Sequence, residues 1–209
     1  MFKSSTSIHA VFFDYGGVLA EEGFSNTLQA LAREQRLNVN LAEEGMQAVY
    51  DSGFVLGQGS DSDFWALLRQ RTGLKGSDKE LTQRVLDGFR LRPGMLTLVR
   101  ELRKRGFLVG LLSDQTEWLD RLDAKYGLYQ EFDRLYISYR LGKGKQNPTL
   151  YDDVSRDLGL DPQQILFVDD NPGNIQRAAS RGWQTILFRD EQTLYSELKK
   201  RGLLGSETD

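Results

Sequence analysis

Three apolar segments of this sequence end beside side chains that can bind a cation or attack an electrophile. An aspartate ends or follows each segment, and the second segment also ends in a serine; these residues are Asp14, Ser113, Asp114, Asp169 and Asp170. If the segments are parallel strands, their carboxyl ends meet at one edge of the sheet, where such sheets bind ligands. Carboxylates held this close cannot all ionise without a compensating positive charge. An oxygen-only site of this kind favours Mg²⁺.

The elements that must position these side chains follow a regular pattern after residue 92. Continuous apolar runs alternate with segments of helical periodicity, which predicts a parallel sheet with helices on both faces and hence an α/β fold. The predicted strands are residues 8–14, 107–113, 134–138, 164–170 and 183–188. The third of them leads into a loop with Lys143 and Lys145, so at least one ammonium group is expected at the same edge.

Residues 20–90 differ from the rest because they contain no convincing strand. Four amphipathic segments, NTLQALAREQR, AEEGMQAVYDSGF, SDFWALLRQRTG and KELTQRVLDGF, predict helices instead. We therefore expect a helical subdomain at 20–90, inserted into a core formed by residues 1–19 and 91–209. Its aromatic residues Tyr50, Phe54 and Trp65 are expected to belong to the hydrophobic core; the alternative is that one of them lines a substrate pocket.

The composition excludes several kinds of chemistry. The 209 residues include no cysteine and one histidine, which excludes cysteine nucleophiles, thiolate zinc sites and disulfides. The histidine, His9, lies on the same predicted strand as Asp14 but at an odd offset, so the two side chains point to opposite faces. The net charge of −3, with interspersed signs, gives no support to a nucleic-acid partner.

Four motifs in order resemble the haloacid dehalogenase-like hydrolases. They are VFFDYGGVL around Asp14, LVGLLSD around Ser113, SYRLGKGKQNPTLY around Lys145, and ILFVDDNPGNIQRAASRGWQTI around Asp169. The resemblance covers nearly the whole chain. It implies a doubly wound, Rossmann-like parallel sheet with a helical cap inserted after the first strand.

The resemblance also implies a role for each motif. Asp14 would attack the phosphorus of a phosphorylated metabolite, and water would then cleave the aspartyl-phosphate. Ser113 and Lys145 would contact the transferring phosphoryl group and balance its charge. The magnesium ligands would be Asp14, the backbone carbonyl of Gly16, Asp169 and Asp170. The substrate-binding residues would be Gly16, Gly17, Ser113, Asp114 and Lys145.

Each of these residues also has a purely structural alternative. Asp14 or Ser113 can cap a turn, and Lys145 can belong to a solvated basic loop. Asp170 or Asn171 can be the N-cap of the helix that begins near Pro172. The sequence leaves open whether Asp170 binds the metal or caps this helix.

One departure from the family pattern concerns proton transfer. The phosphatases of the family carry a second aspartate two positions after the nucleophile as general acid and base, and this chain has Gly16 there. Without that acid, we expect phosphate-ester cleavage to depend steeply on the acidity of the leaving group. Three functions therefore remain: a magnesium-dependent phosphatase, a non-catalytic relative that binds a phosphorylated ligand or a protein, and a haloacid dehalogenase.

The sequence also suggests where the protein acts. Its first ten residues lack the long apolar run of a signal peptide, and no window approaches the roughly 20 apolar residues of a membrane span. We therefore expect a cytoplasmic protein with a small-molecule phosphorylated substrate and no membrane partner. The oligomeric state cannot be inferred from the sequence.

Overall fold

A computed structural model describes residues 7–205 of the chain. The first six residues and residues 206–209 lie outside the described residues. The expectation about a signal peptide, which concerned the first ten residues, therefore falls mostly outside them.

The described residues contain one sheet of five parallel strands in the order β3-β2-β1-β4-β5. The strands are β1 (Ala10–Phe13), β2 (Leu108–Ser113), β3 (Arg134–Ile137), β4 (Ile165–Asp169) and β5 (Gln184–Leu187). β1 lies at the centre, between β2 and β4, so the strand order reverses beside it. The carboxyl end of β1 is thus the position at which an open parallel sheet binds its ligand.

Among the described residues, six α-helices lie after residue 92. They are α5 (Pro93–Lys104), α6 (Trp118–Tyr126), α7 (Ser138–Leu141), α8 (Thr149–Leu158), α9 (Pro172–Ser180) and α10 (Glu191–Lys200). Because successive side chains of a strand alternate between faces, Val11 and Phe13 pack into one cluster with α5, α6 and α10. Ala10 and Phe12 pack into a second cluster with α8 and α9. Both faces are covered, which confirms the predicted doubly wound α/β fold.

Four helices lie between β1 and α5 in the chain, as predicted. They are α1 (Gly23–Glu34), α2 (Leu41–Asp51), α3 (Asp61–Thr72) and α4 (Asp78–Gly88). The two connections to this insert run side by side, since the Glu21 amide donates to the Arg90 carbonyl and the Arg92 amide to the Leu19 carbonyl, both at 2.9 Å. The insert therefore leaves and re-enters the core at one place, directly after the Asp14 loop.

The insert and the core share one hydrophobic cluster. Trp118 of α6 packs edge-on against Phe54 at 5.1 Å between ring centroids and stacks against Trp65 at 5.7 Å. Phe54 and Trp65 are buried, as expected from the sequence. These ring contacts hold the helical insert over the carboxyl end of the sheet.

Candidate active site

Asp14 lies immediately after β1, in the centre of the carboxyl edge. Its amide donates to the Val168 carbonyl of β4 at 3.0 Å, which continues the sheet pairing up to this residue. Its Oδ1 accepts hydrogen bonds from the Ser113 hydroxyl at 2.6 Å and from the Tyr15 amide at 2.7 Å. With 8% of its surface exposed, the carboxylate is buried except where it faces the cleft.

Lys145 joins two of the predicted acidic residues. Its Nζ lies 2.7 Å from Oδ2 of Asp14 and 2.7 Å from Oδ2 of Asp169, and the side chain is only 2% exposed. Burial alone would lower the pKa of Lys145, but the charges of Asp14 and Asp169 raise it well above the ordinary value. Burial raises the pKa of Asp14, with Lys145 opposing and Asp169 adding to this effect. Lys145 therefore stays charged and offsets both carboxylates.

Two residues that the sequence analysis did not single out hold Asp169 and Lys145 in place. The Asn174 side-chain amide donates to both carboxylate oxygens of Asp169, at 3.0 and 3.2 Å. Arg177 donates to Oδ1 of Asn174 at 2.6 Å and to the Lys145 carbonyl at 2.8 Å. In the sequence, Asn174 is the second asparagine of DDNPGN. It lies in the first turn of α9, next to the end of β4.

Asp170 does not cap α9, because Asn171 does. The Asn171 Oδ1 accepts from the Gly173 amide at 2.8 Å and from the Asn174 amide at 3.4 Å. Asp170 instead lies against Gly17, where a Cβ would come within 2.1 Å of Asp170 Oδ2. Gly17 also has a φ of +82°, a conformation that favours glycine.

The carboxylates of Asp14, Asp169 and Asp170 form a group that fits a divalent cation. One oxygen from each lies within 4.8 Å of the other two. Carboxylate oxygens are ligands that Mg²⁺ prefers, and the net negative charge of three aspartates and one lysine leaves a cation to be added. The donor set therefore suits magnesium.

Gly16 lies between the Asp14 loop and the helical insert. Its φ is outside the left-handed region, and a Cβ would lie 3.2 Å from Cε1 of Phe89 and 3.8 Å from Oε1 of Glu22. The backbone thus admits other residues at this position. Burial raises the pKa of the Glu22 carboxyl above its ordinary value, although the Ser25 and Asn26 amides oppose this effect.

Asp114 lines the cleft, but protein groups already bind both of its carboxylate oxygens. The Lys145 amide donates to Oδ1 at 2.8 Å, and the Tyr50 hydroxyl donates to Oδ2 at 2.6 Å. Tyr50 comes from α2 of the insert. Unlike Phe54 and Trp65, it is only half-buried: it packs against the hydrophobic cluster and also lines the cleft, which was the alternative for these aromatic residues.

The cleft between the insert and the sheet edge has a volume of about 440 Å³. Asp14, Lys145 and Asp170 form its floor at the sheet edge, while side chains of the insert and of α6 form apolar walls. The apolar and aromatic lining residues are Phe24, Met46, Val49, Tyr50, Val55, Phe89 and Trp118. Because this floor holds more carboxylates than ammonium groups, an anionic group would fit there only with a cation bound beside Lys145.

Residues 8–182 match the family model described as haloacid dehalogenase-like hydrolase. The chain belongs to the haloacid dehalogenase-like hydrolases. The resemblance inferred from the four motifs is thereby confirmed, and with it the assignment of this chain to a family of hydrolytic enzymes.

Relatives within the family include proteins of different activities. The rat bifunctional epoxide hydrolase 2 is 33% identical over 113 residues, which are 51% of this chain but 20% of that protein, so the chain spans about a fifth of its length. The glyceraldehyde 3-phosphate phosphatase of Methanopyrus kandleri is 28% identical over 202 residues, covering 87% of this chain and 84% of that enzyme.

A solved structure of a family enzyme shows the same fold. The enzyme is from Bacteroides thetaiotaomicron and was crystallised in complex with magnesium and inorganic phosphate; it is 23% identical to this chain. The structures superimpose with a TM-score of 0.69, covering 90% of this chain and 100% of the other.

Among residues 7–205 of this hydrolase, no helix is long and apolar enough to cross a bilayer.

Proposed function

We propose that this hydrolase is a magnesium-dependent phosphatase of a small, sugar phosphate-like metabolite, acting through an aspartyl-phosphate on Asp14. The observation that carries the proposal is the arrangement around the Asp14 carboxylate. Ser113 hydrogen-bonds one of its oxygens, Lys145 pairs with the other, and Asp169 and Asp170 lie beside it. This arrangement combines a fixed nucleophile with compensation for the charge of a phosphoryl group.

The residues divide the reaction between them. A carboxylate oxygen of Asp14 attacks the phosphorus, the bond to the leaving oxygen breaks, and water then cleaves the aspartyl-phosphate at phosphorus. The Ser113 hydroxyl can turn from Asp14 to an oxygen of the phosphoryl group, and the Lys145 ammonium offsets the added negative charge. Asn174 and Arg177 keep Asp169 and Lys145 in position during both steps.

Magnesium, held by Asp14, Asp169, Asp170 and the Gly16 carbonyl, would neutralise phosphate charge and polarise the phosphoryl group. Gly16 and Gly17 leave room for backbone N–H groups to approach a phosphate oxygen. The proposed substrate-binding set is therefore Gly16, Gly17, Ser113, Asp114 and Lys145, with Asp114 acting through the Lys145 amide and Tyr50.

The substrate class is supported by the cleft and by the relatives. The cleft has room for a small molecule, and the anionic end of a bound substrate would face Lys145. The glyceraldehyde 3-phosphate phosphatase named above acts on a small phosphorylated sugar and is similar over most of both chains. We further propose that residues 20–90 form the cap of a core made of 1–19 and 91–209, and that the enzyme acts in the cytoplasm.

Metal-dependent phosphate release tests the proposal. The purified chain is assayed with 4-nitrophenyl phosphate and a panel of sugar phosphates, after chelation and again with added magnesium. We expect turnover only with magnesium, loss of activity in Asp169→Asn, and no change in Asp153→Asn, a carboxylate on an exposed ion pair. Phosphate release that survives chelation, or halide release from 2-haloacids without metal, would contradict the proposal.

A further inference from the structure

The cleft also contains the carboxyl group of Glu22, which comes from the start of the helical insert and not from the sheet edge. Its Oε2 accepts hydrogen bonds from the Ser25 amide at 2.6 Å and the Asn26 amide at 3.3 Å, at the start of α1. These bonds fix the orientation of a long and otherwise flexible side chain. Glu22 lines the same cleft as Asp14.

The Glu22 carboxyl lies near position 16, where the sequence has glycine in place of the family's second aspartate. Oε1 of Glu22 is 3.8 Å from the point that a Cβ on Gly16 would occupy. An aspartate side chain carries its oxygens two bonds beyond Cβ, so Oε1 of Glu22 lies within the reach of a carboxyl at position 16, as do Phe89 and Gln115. The helical insert thus brings the Glu22 carboxyl close to Gly16, where the aspartate of the family pattern is absent.

We propose that Glu22 is the general acid and base of the reaction, in place of the aspartate that is absent at position 16. This proposal rests on the phosphatase function proposed above. In the first step Asp14 bonds to phosphorus, the phosphorus–oxygen bond of the ester breaks, and the leaving oxygen takes the proton of the Glu22 carboxyl. The products of this step are an alcohol, the aspartyl-phosphate and a Glu22 carboxylate.

The second step restores both groups. The Glu22 carboxylate takes a proton from water while the water oxygen bonds to phosphorus and the bond to Asp14 breaks. Inorganic phosphate leaves, Asp14 is again a carboxylate, and Glu22 again carries its proton. One carboxyl therefore serves both steps, as proton transfer in opposite directions requires.

The alternative is that Glu22 only caps α1. Serine, threonine, aspartate and asparagine are the usual N-cap residues, and glutamate is not among them. A capping role predicts a loss of stability, or an equal loss of activity on every substrate. An acid–base role predicts a loss that grows as the leaving group becomes more basic, because a basic alkoxide is hard to expel without a proton.

Glu22→Gln separates the two roles, since the amide oxygen of glutamine can still accept from the Ser25 and Asn26 amides. The matched control is Glu21→Gln, which removes an exposed carboxylate that pairs with Arg90. Single-turnover release of the leaving group is measured with enzyme in excess and magnesium present. The substrates are 4-nitrophenyl phosphate, phenyl phosphate and a primary alkyl phosphate.

We expect the single-turnover rate to fall steeply with increasing leaving-group pKa in Glu22→Gln only. Because Glu22 supplies the proton, the steep dependence expected from Gly16 alone should be absent, and the parent and Glu21→Gln should cleave all three esters with a shallow dependence. Glu22→Gln should stay within a few-fold of the parent on 4-nitrophenyl phosphate and fall by roughly 10²–10⁴-fold on the alkyl ester.

Three results would overturn the assignment of Glu22. They are an equal loss on all esters, no loss on the alkyl ester, and a parent that already cleaves only the 4-nitrophenyl ester. A parent that cleaves none of the esters in magnesium would instead refute the phosphatase function itself.

Discussion

The Tyr50 hydroxyl donates a 2.6 Å hydrogen bond to Oδ2 of Asp114, and thereby joins the helical insert to the end of β2. The same carboxylate accepts the Lys145 amide at 2.8 Å. Burial raises the pKa of Tyr50, and the charge of Asp114 raises it further, so the hydroxyl keeps its proton. A residue of the insert therefore supports the loop that carries the lysine of the site.

Tyr50→Phe should remove the hydrogen bond that connects the insert to Asp114 and the Lys145 loop, while keeping an aromatic ring in the wall of the cleft. A hydrogen bond to a charged group contributes about 1.5–3 kcal/mol to stability, so we expect the free energy of unfolding to fall by about this amount and KM to rise because the Lys145 loop is held less firmly. The kcat should change less, because Tyr50 does not contact Asp14. Tyr195→Phe removes a hydroxyl that donates to the Gly94 carbonyl, away from the cleft, and serves as the control. Unchanged steady-state constants in Tyr50→Phe would contradict this account.

Much of the sheet edge could be predicted from the sequence. A strand buried on both faces is a continuous apolar run, so the residue that ends it is easily recognised. This is why Asp14, Ser113 and Asp169 could be placed at one edge before the structure was known. The helical insert was equally visible, because its periodicity differs from that of the strands.

The contacts that complete the site depend on tertiary packing and could not be predicted. Glu22 precedes α1 as its N-cap and Tyr50 lies on α2, and only the docking of these helices brings the two side chains to the cleft. Asn174 reaches Asp169 because α9 starts directly above the end of β4. Asp170 could not be distinguished from Asn171 as a helix cap until their positions were known, since both residue types cap helices well.

Lys145→Gln should destabilise the protein when no metal is added. The substitution leaves the buried carboxylates of Asp14 and Asp169 without their common cation. Breaking a buried pair of this kind costs about 3–5 kcal/mol, and magnesium should restore part of the loss. Lys143→Gln, which removes an exposed ion pair with Asp153, should cost about 1 kcal/mol or less. Equal free energies of unfolding for the two variants, measured by urea denaturation in chelator, would rule out this role of Lys145.

Gly17→Ala should weaken magnesium binding because its Cβ would displace Asp170. Gly142→Ala is a matched control, since Gly142 also has a positive φ, +66°, but a Cβ there meets no atom within 4 Å among the described residues. Both variants should lose roughly 1–2 kcal/mol of stability from the strained backbone. Only Gly17→Ala should lose magnesium affinity, by about tenfold or more, as measured by the metal-dependent rise in Tm. Equal magnesium affinities would show that Asp170 does not contribute to the metal site.

The role of Asp14 as the nucleophile is tested most directly by phosphate release from Asp14→Asn. The parent and the variant are compared on 4-nitrophenyl phosphate in magnesium, with circular dichroism to verify that the variant is folded. Because an amide is a poor nucleophile and a poor magnesium ligand, the account predicts a folded protein with no detectable phosphate release. Release by the folded variant within a few-fold of the parent would contradict it.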